Sequence, residues 1–460
     1  MKRLSVLAVL LVLFVLSSSA DRRRSVRVPV NNDLHWLTTA IETGAWLESI
    51  AQVRGEGLAW GSDAAQPTAV TPGLPGTSGA GFFFLRLYQV THEPRYLGIA
   101  QRAATYVAST CANFGFDWQA GTVGCGEFLV ALARETHEPQ QLERAKLMAD
   151  ALLQRAKHEG DGTYWVFPSS TTVYTGVAHG AGGVAVLLLD VYELTGDRKY
   201  LDAAESAWRW IAKYNVNLGA NAVGWKRLTT DTTSYNGWCG GASGIIFVLD
   251  RLFTVTGKSE YRDQLAATAS GLLTTAVQTD SGYRWTYYSD RTGNSPLVYC
   301  HGSACAIGSL ARAYELGGDA RFLAMAVAGA AHLNAAGLPH ADGRNWPHIE
   351  RSTLVENGFM VGGASVGHGL LRLYRTTRDR QYLDLARAAG RSLIATAERP
   401  AAGMLRWKDM VEPVPPQFAA EQAVNIGWWN GTAGIGMFFL ELYQFSTGVD
   451  PPTQFSPANP

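Results

Sequence analysis

The sequence has no excess of either charge and few charged residues in total. Lysine plus arginine and aspartate plus glutamate number 39 each, and charged residues make up 17% of the 460-residue chain. A protein without a basic face lacks the attraction that holds nucleic acids, and one without an acidic face does not attract cationic partners. We therefore expect no nucleic-acid partner.

Cysteine is also scarce, with five residues. A small, odd number in a long chain excludes the disulfide framework of small secreted proteins. Cys111 and Cys125 are open to two interpretations, a disulfide between them or two buried free thiols. Cys239 and Cys300 take their meaning from the repeats described below.

The apolar run near the N-terminus, residues 4–16, is thirteen residues long and too short for an ordinary membrane span. Basic residues precede it and small residues follow it, which is typical of a signal peptide cleaved after Ala20. The arginines that come next oppose translocation, so an uncleaved N-terminal membrane anchor is the alternative. We expect an exported (periplasmic or extracellular) protein with a signal peptide (1–20), a basic linker (21–32), a globular region (33–448) and a proline-rich tail (449–460).

Glycine, in contrast, is abundant, and much of it belongs to an internal repeat. A glycine-rich turn leads into an apolar helix seven times, beginning at Gly76, Gly121, Gly180, Gly241, Gly302, Gly362 and Gly431. These anchor glycines lie 45, 59, 61, 61, 60 and 69 residues apart, room for two helices and two loops. An amphipathic helix follows each of the first six, and the N-terminal helix, Asp33 to Val53, is expected to be the seventh partner.

The repeats predict an all-α fold, an α/α toroid. Seven almost wholly apolar helices would form a buried inner ring, and seven helices with charged residues an outer ring. All the glycine-rich turns then lie at one mouth, where glycine lets backbones approach closely. Tryptophan recurs before six anchors, and we interpret this series as repeat-packing residues: Trp60, Trp165, Trp225, Trp285, Trp346 and Trp407.

The residues just before the fourth and fifth anchors are of metal-binding types. Cys239 and Cys300 each precede an anchor glycine by two residues, and His301 precedes one by a single residue. Neighbouring turns thus bring two thiols and an imidazole to equivalent positions. Two thiolates and one histidine suit Zn²⁺, and three protein ligands leave a fourth position for water or substrate, as in catalytic sites. Without bound metal, the two cysteines are expected to oxidise to a disulfide in an oxidising compartment.

Three motifs resemble those of the lanthionine synthetase C-like family, which comprises the cyclases of lanthionine synthesis and their free-standing relatives. NGWCGGASG (236–244) is similar to the family's W-C-x-G-x-x-G, YCHGSA (299–304) to its C-H-G, and VAHGAGG (177–183) to its H-G-x-x-G. The resemblance extends over the repeat region. It implies a double ring of seven inner and seven outer helices and a zinc ion held by Cys239, Cys300 and His301.

The resemblance also implies a reaction and two catalytic residues. A thiol-containing peptide or small thiol, activated by zinc, would add to a dehydroamino acid and give a thioether. His179 matches the family's acid or base, and Asp117 would orient it or assist proton transfer. Taken alone, His179 also fits a hydrogen-bonded histidine at the rim, and Asp117 a helix N-cap or turn residue.

The chain departs from the family's pattern at three positions. Gly240 stands where many members have a tyrosine, Tyr235 where an arginine is expected, and Cys305 where a glycine is usual. The ligand set is unchanged, but expected catalytic groups are missing. A zinc-bearing protein that binds thiols or peptides without turnover is therefore an alternative.

Sugar chemistry is the other alternative. Toroids of paired helices also form glycosidases and polysaccharide lyases. Sugars stack on aromatic side chains, and the recurrent tryptophans are candidates for this role together with four expected near the mouth, Trp118, Trp238, Trp428 and Trp429. A hydrolase needs two carboxylates about 5–10 Å apart. The mouth offers Asp117, with Asp231 and Glu421 more distant. The sequence therefore favours thiol chemistry over an exported glycosidase or lyase.

Overall fold

The computed structural model describes residues 33–167, 170–291, 293–411 and 422–451. The expected signal peptide and basic linker, Glu421 and most of the expected tail lie outside these ranges. Of the helices that are described, none combines the length and apolar character that crossing a bilayer requires.

Two sets of seven α-helices alternate along the described chain. One set follows the glycine-rich turns: α2 (Thr77–Thr91), α4 (Thr122–Thr136), α6 (Ala181–Thr195), α8 (Ala242–Thr256), α10 (Ser303–Gly317), α12 (Gly363–Thr377) and α14 (Thr432–Ser446). The other set packs outside it: α1 (Leu34–Ser49), α3 (Pro94–Thr110), α5 (Pro139–Gln154), α7 (Arg198–Ile211), α9 (Ser259–Thr275), α11 (Ala320–Ala336) and α13 (Arg380–Thr396).

The inner helices form a closed ring. Each contacts the next, and α14 contacts α2. Each inner helix also pairs with the outer helix that follows it, while α14 pairs with α1. The α/α toroid and its closure by the N-terminal helix are confirmed. That helix ends at Ser49 and not at Val53, because Gln52–Arg54 forms a β-strand.

Five short antiparallel β-hairpins, which the all-helical prediction missed, each follow an outer helix. Their strands are β1 (Gln52–Arg54) with β2 (Gly57–Ala59), β3 (Lys157–Glu159) with β4 (Gly162–Tyr164), β5 (Asn215–Gly219) with β6 (Ala222–Trp225), β7 (Val277–Thr279) with β8 (Gly282–Arg284), and β9 (Leu338–His340) with β10 (Gly343–Asn345). Most of these strands have three residues, too few for an alternating pattern of apolar and polar residues to be visible in the sequence.

The recurrent tryptophans pack between helices, as predicted. Trp346 is fully buried, and its indole N–H donates to the carbonyl oxygen of Leu333 at 2.7 Å. That carbonyl lies in the last turn of α11 and also accepts the backbone N–H of Gly337 at 3.1 Å. Four others make the same bond to their own outer helix: Trp60 to Leu47, Trp165 to Leu152, Trp285 to Leu272 and Trp407 to Leu393.

The short second unit has a disulfide and no hairpin among its described residues. Cys111 begins a 3₁₀ turn at the end of α3, and Cys125 lies in the first turn of α4. A disulfide joins them, with the Cα atoms 6.5 Å apart. Of the two interpretations left open by the sequence, the structure has the disulfide.

The inner helices are not apolar throughout, which the sequence analysis overlooked. The tenth residue after the anchor glycine is charged in six of the seven: Arg86, Asp190, Arg251, Arg312, Arg372 and Glu441. Asp190 accepts hydrogen bonds from Arg251 (2.6 Å) and from Arg134 (2.9 Å). Since these positions lie near the C-terminal helix ends, a layer of paired charges occupies the end of the ring opposite the glycine-rich mouth.

Candidate metal site

A line of backbone hydrogen bonds crosses the turns of the mouth. It joins residues that lie two positions before the anchor glycines: the N–H of Ala178 donates to Cys239 (2.9 Å), Cys239 to Cys300 (3.1 Å), Cys300 to Met360 (2.9 Å) and Met360 to Trp429 (3.0 Å). Equivalent residues of consecutive repeats are therefore direct neighbours. The repeat register alone places the two cysteines side by side.

The anchor glycines make this close approach possible. A Cβ atom on Gly302 would overlap the carbonyl oxygen of Pro296, and one on Gly241 would overlap that of Tyr235. In both turns the backbone folds back on itself just before the helix begins. A side chain at either glycine would move the neighbouring cysteine.

Cys239, Cys300 and His301 surround a common point. Their donor atoms all lie within 4.8 Å of one another. The two sulfurs are joined as a disulfide, with the Cα atoms 5.5 Å apart, so the cysteines are in their oxidised form. Reduction leaves two thiols beside an imidazole, and this donor set fits Zn²⁺.

Tyr235 orients His301. The tyrosine hydroxyl lies 2.8 Å from Nδ1 of His301, which leaves Nε2 to bind a metal. Burial, together with the charges of His348, Arg227 and His179, lowers the pKa of His301 to about 3. The imidazole is thus neutral near pH 7, which is the form that binds metals.

The structure brings His179 and Asp117 together at the same mouth. Nδ1 of His179 lies 3.0 Å from Oδ2 of the buried Asp117. The other oxygen of Asp117 accepts the backbone N–H of Ala120 at 3.2 Å, so the aspartate is also a turn residue. His179 occupies the third turn at the position that His301 has in the fifth, one residue before the anchor.

A pocket of about 230 Å³ contains the site. Its walls are formed by Gln119, Tyr174, His179, Arg227, Cys239, Cys300, His301 and Trp429. Trp118 packs against Trp238 and Trp428, with ring centroids 4.8 and 5.1 Å apart, and all three are buried. Of the four tryptophans expected near the mouth, Trp429 is the one that lines this pocket.

A polar group that the sequence analysis missed lies behind His301. The ring of His348 stacks on that of His301 with centroids 6.2 Å apart, and its Nδ1 lies 2.6 Å from Oε2 of Glu356. Burial and the negative charge of Glu356 raise the pKa of Asp409 to about 7. Glu356 stands six residues before its anchor glycine, as Tyr235 does. Alignment of the repeats therefore carries a signal that Glu356 lies near the site.

Asp231 has a local role. Its Oδ2 accepts the backbone N–H of Leu228 at 3.0 Å, which makes it a turn residue. Together with the position of Asp117 behind His179, this leaves no aspartate or glutamate among the described residues that line the pocket.

Solved structures of sugar-modifying enzymes share the architecture. A cellobiose 2-epimerase from Bacillus thermoamylovorans is 14% identical with a TM-score of 0.53, over 90% of this chain and 98% of that one. An unsaturated glucuronyl hydrolase specific for heparin is 15% identical, also with a TM-score of 0.53, over 90% and 99% of the two chains. Identities this low establish the fold alone.

Sequence comparison is more specific. No curated protein matches the chain. The family model for lanthionine synthetase C-like protein matches residues 106–386. That range is more than half of the chain and contains all three motifs, together with the cysteines and histidines of the mouth. The chain belongs to the lanthionine synthetase C-like family.

Proposed function

We propose that this protein binds one Zn²⁺ through Cys239, Cys300 and His301 and adds a thiol to a dehydroamino acid, forming a thioether. The observation that carries the proposal is the convergence of these three donor groups within 4.8 Å at the mouth of a family toroid. Two soft sulfur ligands and one imidazole are a donor set that zinc prefers. Three ligands leave one coordination position for the substrate.

A zinc ion held by Cys239, Cys300 and His301 would lower the pKa of a substrate thiol, so that the thiolate is available near pH 7. The sulfur then bonds to the β-carbon of the dehydroamino acid, and the electrons of the broken π bond move toward the carbonyl oxygen. Nε2 of His179 takes up the proton that the thiol loses and then delivers it to the α-carbon. Asp117 holds Nδ1 and stabilises the protonated ring. The net change is the addition of S–H across the double bond.

Two observations favour thiol chemistry over the glycosidase or lyase alternative. The described residues that line the pocket include no carboxylate, whereas glycoside hydrolysis uses two. Five of the six recurrent tryptophans direct their indole N–H groups to carbonyl oxygens of outer helices and not to the mouth: Trp60, Trp165, Trp285, Trp346 and Trp407.

The proposal is tested with reduced, zinc-loaded protein, a small thiol and a dehydroalanine peptide. Mass spectrometry should detect the thioether product with wild type and much less of it with His179→Ala. If wild type binds the thiol and forms no product, the protein is a zinc-bearing thiol binder and the enzymatic proposal is wrong.

We also propose that the protein is exported. The disulfides Cys111–Cys125 and Cys239–Cys300 fit an oxidising compartment. Bound zinc would there protect Cys239 and Cys300 from oxidation. Fractionation of expressing cells tests this proposal, and recovery of the protein with the cytoplasmic fraction would contradict it.

A further inference from the structure

Arg227 enters the pocket where Gly240 leaves space for it. A Cβ atom on Gly240 would overlap Cγ of Arg227, so the arginine stem fills the volume of the missing side chain. Gly240 stands one residue before its anchor, as His179 and His301 do in the turns on either side. Arg227 therefore lies in a slot between the two histidines of the mouth.

Tyr235 forms the other support of this arginine. Cζ of Arg227 lies 5.5 Å from the centroid of the Tyr235 ring, a cation–π contact. The hydroxyl of the same tyrosine contacts His301 at 2.8 Å. Gly240 and Tyr235 are two of the positions at which the chain departs from the family's pattern. Both of these residues therefore contact Arg227.

No protein group neutralises Arg227 within the part of the chain that the structure describes. Its side chain makes no salt bridge and no hydrogen bond there, and its Nε is buried without a partner. No carboxylate of a described residue lines the same pocket. An unpaired guanidinium loses hydration without compensation, whereas an anionic ligand would restore its hydrogen bonds. The planar guanidinium is suited to bind a carboxylate through two parallel bonds.

We infer that Arg227 binds a carboxylate of the thiol substrate, so that the pocket selects small thiol acids over neutral thiols. This inference rests on the proposed function for the position of the sulfur at Cys239, Cys300 and His301. The pocket volume of about 230 Å³ is small for a ligand site, which favours a compact molecule with its carboxylate few bonds from its sulfur.

The test compares mercaptoacetate with mercaptoethanol, thiols of similar size of which the first carries a carboxylate. Binding to reduced, zinc-loaded protein is followed by calorimetry and by quenching of tryptophan fluorescence, since Trp429 lines the pocket. Wild type is expected to bind the acid at least ~10-fold more tightly, as charge-assisted hydrogen bonds provide. Arg227→Gln is expected to bind both thiols with equal affinity.

Two further variants distinguish carboxylate binding by Arg227 from a general loss of folding or of metal binding. Gly240→Ala fills the slot and is expected to displace Arg227, which removes the preference while zinc content stays at the wild-type level. Arg198→Gln, at an exposed arginine of α7, is the matched control and should keep the preference.

The failures of the two proposals are distinguishable. Equal affinity of wild type for both thiols, or an unchanged preference in Arg227→Gln, would overturn the role of Arg227 and leave zinc–thiol binding intact. If the zinc-loaded protein binds neither thiol, the proposed function is wrong, and the inference about Arg227 falls with it.

Discussion

The backbone N–H of Cys239 donates to the carbonyl oxygen of Cys300 at 3.1 Å. This bond joins equivalent positions of two consecutive repeats. When both repeats have a cysteine at that position, the two cysteines are therefore neighbours in the structure. Backbone hydrogen bonds between the turns therefore place the two cysteines of the candidate metal site. We expect substitutions of their side chains to leave these turns folded.

Substitution of an anchor glycine should disturb both stability and the site. Gly302→Ala places a Cβ against the carbonyl oxygen of Pro296, and the backbone must shift. We expect a loss of at least ~2 kcal/mol in the free energy of unfolding by urea denaturation, together with weaker zinc binding. Gly98→Ala in α3 is the control, because the added Cβ meets nothing within 4 Å. It should stabilise by about 0.5–1 kcal/mol, and a loss in Gly302→Ala no larger than in this control would contradict the account.

The proton-transfer role of His179 predicts a loss of rate without a loss of metal. His179→Ala should reduce the rate of thiol addition by about 10²–10⁴-fold, the range of general acid–base catalysis. Asp117→Asn should reduce it less, since the ring stays in place while its protonated form loses an ionic partner. Steady-state rates and zinc content are measured on the same preparations. Undiminished turnover in His179→Ala would refute the role.

The sequence predicts those site residues that occupy equivalent positions in the repeats. The anchor glycines establish that equivalent residues are neighbours, and this suffices to place Cys239, Cys300 and His301 together and His179 at the same mouth. The position of Arg227 could not be predicted in this way. It comes from the loop after β6, and its contact with Gly240 depends on the path of that loop.

Other features carried a sequence signal that was overlooked. The charged residue ten positions after the anchor recurs from Arg86 to Glu441, and it is visible once the repeats are aligned. The hairpins carried little signal, because three residues such as Gln52–Arg54 cannot display a period of two.

The buried indole bonds predict a matched difference between two tryptophans. Trp346→Phe removes the hydrogen bond to Leu333 and leaves a buried carbonyl with one acceptor position empty. This loss should lower the free energy of unfolding by about 1 kcal/mol, in addition to the effect of the smaller ring. Trp36→Phe is the comparison, because the indole N–H of Trp36 has no partner among the described residues. Thermal unfolding followed by circular dichroism measures both. Equal losses would show that the bond contributes nothing.

Asp409 predicts a decrease in stability as pH rises. Burial raises its pKa to about 7, so between about pH 4 and pH 7 the folded protein holds a proton that the unfolded chain has released. Stability from this group is therefore lost as pH rises through that window. Asp409→Asn should be more stable than wild type at pH 8 by roughly 1–2 kcal/mol, with the advantage fading toward pH 4.

Urea denaturation at pH 4, 6 and 8 checks the prediction for Asp409. Asp263→Asn, at an exposed carboxylate of α9, serves as the control and should show no such trend. A stability difference for Asp409→Asn that does not change with pH would contradict the raised pKa.

The most direct test is the zinc content of the purified, reduced protein. The account predicts one zinc per chain in wild type and in Cys305→Ala, since Cys305 is buried outside the ligand set, and no stoichiometric zinc in Cys300→Ala. A reduced wild type without stoichiometric zinc, or a Cys300→Ala variant with as much zinc as wild type, would contradict it.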